Sequence, residues 1–151
     1  MKPDPHLLLA VSGHGYGHLA QCAPVINALW QRLPRLRLTV CSRLERGVIA
    51  DRLALPFDYR CRSVDPVLPM HSAWQVDVPA AQSVFTGFYR DRAAGLAEDR
   101  ALIEELHPDL LLANIPWRLL QAARQAGVPA VALCSLNWAA IYRQYCAQAM
   151  D

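Results

Sequence analysis

No stretch of this chain is apolar for the ~20 residues that a membrane span requires; its apolar runs, such as Leu7–Val11, are short. The first residues do not make a signal peptide either, because Pro3, Asp4, Pro5 and His6 separate Lys2 from an apolar stretch that is itself too brief. Charge of one sign is missing as well. Fifteen Lys and Arg are scattered among thirteen Asp and Glu for a net charge of +2, with no basic run and no interleaved aromatics, which argues against nucleic acid as a partner. The five cysteines form no C-x-x-C pair and are odd in number, so neither a disulfide framework nor a zinc site is implied. Small buried thiols in a reducing cytoplasm are the expectation.

What is present is a 151-residue chain, 54% hydrophobic and 19% charged, the composition of one well-packed globular domain. Short apolar runs alternate with segments of helical period. Strands are predicted at Leu7–Val11, Leu36–Cys41, Phe57–Arg62, Asp109–Ala113 and Val128–Leu133. Helices are predicted at His18–Leu33, Leu44–Leu53, Ala80–Leu106 with bends at Gly87 and Gly95, Trp117–Ala126, and Trp138–Met150. Pro34 and Pro108 end helices, and Gly127 caps one. The long connection Ser63–Pro79, which contains Met70, His71 and Trp74, is a candidate functional loop.

This alternation predicts an α/β domain: a doubly wound parallel sheet of about five strands in the order 3-2-1-4-5, with helices on both faces. Ligands of such sheets bind beyond the carboxyl ends of the strands, where the strand order reverses. Three loops converge there: Ser12–Gly17, Asn114–Pro116 and Ser135–Asn137. His14, His18 and Asn114 should be neighbours.

The densest chemistry lies in the first of these loops, Val11-Ser-Gly-His-Gly-Tyr-Gly-His18. A strand that runs through glycines into a helix presents backbone N–H groups to an anion. The loop is not a triphosphate-binding loop, since no Gly-Lys-Ser/Thr follows, and Gly13, Gly15 and Gly17 do not fit G-x-G-x-x-G. No third ligand accompanies His14 and His18, so no metal site is expected.

Ser-Gly-His-Gly-Tyr-Gly-His, followed by an apolar helix, resembles the N-terminal half of two-domain glycosyltransferases of the GT-B fold. The later segments Pro108-Asp-Leu-Leu-Leu-Ala-Asn-Ile-Pro, Ala122-Ala-Arg-Gln-Ala-Gly-Val-Pro-Ala-Val and Leu136-Asn-Trp-Ala-Ala-Ile-Tyr are similar to the glycosyltransferase-like N-terminal region of plant L-arabinokinases. The resemblance runs nearly end to end and implies one Rossmann-like, acceptor-side domain over residues 1–151. The donor-binding C-terminal domain would lie outside this chain, supplied in cis or in trans as in truncated or split enzymes.

By the same resemblance, a nucleotide-sugar donor is the co-substrate, no further cofactor is needed, and a hexosyl-type group passes to a hydroxyl of a small-molecule acceptor. His18 aligns with the general base of plant natural-product glycosyltransferases. A histidine suits that role because its ordinary pKa lies near neutrality. Gly13, His14, Gly15, Tyr16 and Gly17 would line acceptor or diphosphate, and Ser135, Asn137 and Trp138 would complete the substrate site, Trp138 by stacking on a sugar. At the end of the fourth strand the resembling families carry an aspartate that balances the histidine's charge; this chain has Asn114, which can orient an imidazole but cannot neutralise it. A non-catalytic sugar- or nucleotide-binding module and a nucleotide-sugar epimerase are the alternatives. An exposed apolar patch near the last helix is expected if a partner half docks there.

Overall fold

The computed structural model describes residues 4–146. His6–Val11 forms β1, the centre of the sheet, and all six of its residues are buried. It pairs in parallel with β2 (Arg37–Ser42) on one side and with β4 (Leu110–Asn114) on the other. The outer strands are β3 (Asp58–Cys61) beside β2 and β5 (Ala130–Ala132) beside β4, giving the all-parallel order 3-2-1-4-5. The near-continuous apolar sequences of β1 and β4 follow from burial on both faces.

Successive strand residues point to opposite faces, which sorts the core into two layers. Leu7, Leu9 and Val11 pack with Leu19, Cys22 and Ile26 of α1 (Gly17–Arg32) and with Ile49 of α2 (Arg46–Ala50). Leu8 and Ala10 pack on the other face with Leu102 and Ile103 of α4 (Arg92–Leu106) and with Leu119 and Ala122 of α5 (Trp117–Gln125). A third cluster joins Leu68, Phe85 of α3 (Val78–Tyr89), Ile115 and Trp138 of α6 (Trp138–Tyr145), the last two just past the ends of β4 and β5.

The long helix expected over Ala80–Leu106 is two helices, α3 and α4. Asp91 interrupts it, because its carboxylate accepts from the Ala94 backbone N–H at 2.9 Å and caps a new helix, as Asp77 does for α3 through Ala80. Gly95 lies within α4, which runs unbroken from Arg92 to Leu106. It makes room for the Arg118 guanidinium, which a Cβ at this position would strike. α2 is shorter than Leu44–Leu53, and β5 shorter than Val128–Leu133, where Pro129 has no N–H to donate. The predicted end of the last helix, 147–150, lies outside the described residues. Gly127 ends α5 with φ +71°, as expected of a left-handed cap.

His6 ties β1 to its neighbours: Nε2 meets Thr39 Oγ1 at 2.8 Å, and Nδ1 meets the Leu106 carbonyl at 3.1 Å. Burial, and then the Arg37 charge, push its pKa below the ordinary 6.5. The neutral ring is therefore favoured by folding, and the stability it adds is present above pH 6.5 and lost as pH falls below that value. Urea midpoints should drop between pH 7.5 and 5.5, and a His6→Gln chain should show a smaller drop; an equal drop in both would refute the assignment.

Candidate functional site

The β1 and β4 strands lie side by side where the strand order turns, and their register sets Val11 opposite Asn114. The Ser12 N–H donates to the Asn114 carbonyl at 2.7 Å, so the glycine loop leaves the sheet from a fixed point. Gly15, at φ +70°, makes the one turn here that a side chain would strain. Gly13 passes close to Arg43, 3.2 Å from where its Cβ would stand, whereas Gly17 faces open space. The loop then enters α1, whose first turn has no side-chain cap and no acidic residue, leaving N–H groups at the positive end of a sixteen-residue helix.

His18 sits in that first turn, 8% exposed, with Nδ1 2.8 Å from Asn114 Oδ1. An amide oxygen only accepts, so the hydrogen lies on Nδ1 and the lone pair on Nε2. Asn114 is itself completely buried; its Nδ2 donates to Gln21 Oε1 at 3.0 Å, and Gln21 Nε2 donates to Ser135 Oγ at 3.1 Å. The start of α1, the end of β4 and the loop after β5 thus meet in one line of hydrogen bonds, His18–Asn114–Gln21–Ser135. Cys22, beside Asn114, is held as a thiol, its pKa pushed by burial up to about 11.

His14 stands next to His18, ring centroids 6.5 Å apart, and edge-on to Trp138 at 5.8 Å. Burial and then the nearby His18 lower its pKa, so it is a neutral neighbour at physiological pH. Tyr16 is mostly exposed at the mouth, and Asn137 caps α6 through Ala140 N at 2.9 Å. Trp138 is buried with its indole N–H committed to Asp65 at 2.7 Å; its edge packs against Phe85.

Beside Trp138 opens a cavity of about 450 Å³, lined by Phe85, Thr86, Tyr89, Trp117, Ala139 and Tyr142. The Trp117 indole N–H donates to Tyr89 Oη at 2.7 Å, which leaves the wall almost wholly aromatic carbon. Arg92 lies over the outer face of Trp117 at 4.9 Å. This pocket was not visible in the sequence, because Phe85 and Tyr89 read as core positions of a helix.

Asp65 also escaped the sequence reading. In the candidate functional loop Ser63–Pro79, Met70 and Trp74 are exposed, and it is Asp65, 2% exposed, that reaches the site. Burial raises its pKa; hydrogen bonds from Ser12 and Trp138 and the nearness of His18 pull the other way. Among the described residues no group of three or more His, Cys, Asp or Glu could hold a metal, and no helix is long and apolar enough to cross a membrane. The five cysteines are free; Cys22, Cys41 and Cys146 are buried, and Cys61 and Cys134 exposed.

No family model and no curated protein matches the sequence. Solved structures do match the fold. A glycosyltransferase of Phytolacca americana complexed with UDP-2-fluoro-glucose and pterostilbene is 17% identical, with a TM-score of 0.56 over 89% of this chain and 31% of its own. MurG of Acinetobacter baumannii is 14% identical with a TM-score of 0.52 over 86% and 34%, and the UDP-GlcNAc 2-epimerase of Neisseria meningitidis is 15% identical with 0.50 over 84% and 31%. The chain spans about a third of the length of each. Its five-stranded sheet and helices have the fold of a GT-B half-domain.

Proposed function

We propose that this domain is the acceptor-side half of a nucleotide-sugar-dependent glycosyltransferase, with His18 as the base that takes the proton of an acceptor hydroxyl. The observation that carries the reading is the His18–Asn114 hydrogen bond at the β1–β4 switch point, 2.8 Å long, which fixes a tautomer with its lone pair on Nε2. As His18 takes the proton, the acceptor oxygen attacks the anomeric carbon of the donor and the nucleoside diphosphate leaves. The uncapped N–H groups at the start of α1 would stabilise the charge on that leaving group. His14 would contact acceptor or phosphate, and Ser135 would hold Gln21 and so Asn114 in place.

The aromatic cavity next to Trp138 suits the body of an acceptor that carries its hydroxyl on a largely apolar frame. The donor would be held by a second domain in cis or in trans, and the exposed Val131, Leu136 and Tyr145, on β5 and around α6, suit its docking. The likeness of three separated segments to the N-terminal region of plant L-arabinokinases belongs to the same reading. Because a UDP-GlcNAc 2-epimerase shares the fold, epimerisation is a second reading. The two separate in one assay with a donor-binding half present. Transfer gives UDP from a UDP-sugar only when a hydroxylated acceptor is added; epimerisation changes UDP-GlcNAc without one. Quenching of tryptophan fluorescence by hydroxylated aromatic acceptors, but not by their sugars alone, is expected of this chain by itself, since Trp117 and Trp138 line the cavity.

A further inference from the structure

We propose that Asp65 supplies the negative charge that β4 lacks at its end: held between Ser12 and Trp138, its carboxylate is the positioning residue and counter-charge for His18 when that ring takes up a proton. The inference rests on His18 being the base. Its foundation is geometric. Asp65 is buried to 2% exposure, and Trp138 Nε1 donates to its Oδ2 at 2.7 Å. The Ser12 hydroxyl, completely buried, donates to the same carboxyl while its oxygen accepts the His14 N–H at 3.1 Å. Ser12 is bonded through its own N–H to the residue, Asn114, whose side chain holds His18. The carboxylate is therefore anchored to both sides of the histidine's seat, by the chain at the end of β1 and by α6.

A buried carboxylate aimed at nothing but an indole and a hydroxyl would be costly, and an apolar residue would pack there more cheaply. The groups facing Asp65 give the charge a use. His18 on α1 is within electrostatic reach, and so is the Tyr89 hydroxyl on α3, itself bonded to Trp117; His14 follows behind Trp138. Of these, His18 and His14 alone become positive, and Asn114, neutral, cannot offset either. Proton uptake by His18 from an acceptor would place an imidazolium in a nearly closed site, and Asp65 is the acid there to stabilise it.

The test is a titration of the histidine ring signals by NMR, with His14→Gln and His18→Gln chains to assign them. Asp65→Asn removes the charge and keeps an oxygen to accept from Trp138, while its amide N–H₂ can donate to the Ser12 hydroxyl, which rotates to accept. It should lower the titration midpoint of His18 by about one pH unit, while Asp65→Glu should restore part of it. An unchanged midpoint in Asp65→Asn would overturn the proposal, since a merely structural Asp65 is replaced isosterically. Should Asp65→Asn fail to fold, the unaltered chain still decides: the Asp65 carboxyl carbon should shift as His18 titrates, and a carbon that does not respond overturns the proposal equally. Neither measurement needs donor or acceptor, so a chain that passes this test yet transfers no sugar with a donor-binding half present would refute the glycosyltransferase reading alone.

Discussion

Replacing Asp99 by alanine should destabilise the fold by about 3–5 kcal/mol, the largest stability effect expected of any single substitution here. Asp99 lies on α4 with no exposed surface and receives two guanidinium groups at 2.6 Å, Arg118 Nε from α5 and Arg62 Nη2 from just after β3. Arg118 is 6% exposed, pressed over the Phe88 ring at 4.4 Å and against Gly95. Among the described residues Asp99 is the one acid ion-paired with Arg118, so its loss leaves that charge without its partner. Arg62 fares better, since Glu98 stands 3.9 Å away and its own side chain is partly in solvent. The cost thus lies in Arg118, an uncompensated buried cation.

This argument concerns breaking the cluster, not its net worth, because ion pairs of this kind can be replaced by apolar residues at little loss. The double variant Asp99→Ala, Arg118→Leu should accordingly recover much of the deficit. Urea unfolding of both variants would show it. A single-variant loss under about 1 kcal/mol, the range of exposed pairs, would mean that Arg118 escapes to water.

The sheet order was legible in the sequence because burial on both faces leaves a simple trace: Leu7–Val11 and Leu110–Ala113 are apolar without alternation, and a parallel sheet is what produces that pattern. The break at Asp91 was not legible. An aspartate between Arg90 and Arg92 fits the solvent face of one long helix as well as it fits a cap, and only the Ala94 N–H bond distinguishes them. Periodicity carries through a break that costs only one or two residues.

At the site, His14, His18 and Asn114 were placed together by topology alone, since strand order decides which strand ends adjoin. Asp65 was hidden for the opposite reason. Nothing local marks Val64-Asp-Pro66 as buried, and the partner that buries it, Trp138, lies 73 residues further on. The Arg62–Asp99–Arg118 cluster is likewise drawn from three elements, each charge unremarkable where it stands in the chain.

Replacing His18 by alanine should reduce the transfer rate by about 10²–10⁴, the usual contribution of one general base, with the acceptor's KM changed far less. The split follows from the geometry. His18 is 8% exposed and bonded to Asn114, so it adds little contact to a substrate whose body would rest in the aromatic cavity, and its contribution falls on the proton transfer. The pH profile gives a second readout: the fall in rate on the acid side, where the base is protonated, should vanish from the residual activity of His18→Ala. His14→Ala should retain that acid limb, because the base that loses its lone pair there is His18, and burial and then His18 lower the His14 pKa. If His18→Ala kept its rate while His14→Ala lost it, the base would be the wrong histidine of the pair. If both kept it, the proton would leave the acceptor by another route, and a candidate would be Asp65, whose raised pKa suits a carboxylate for proton transfer better than an ordinary aspartate.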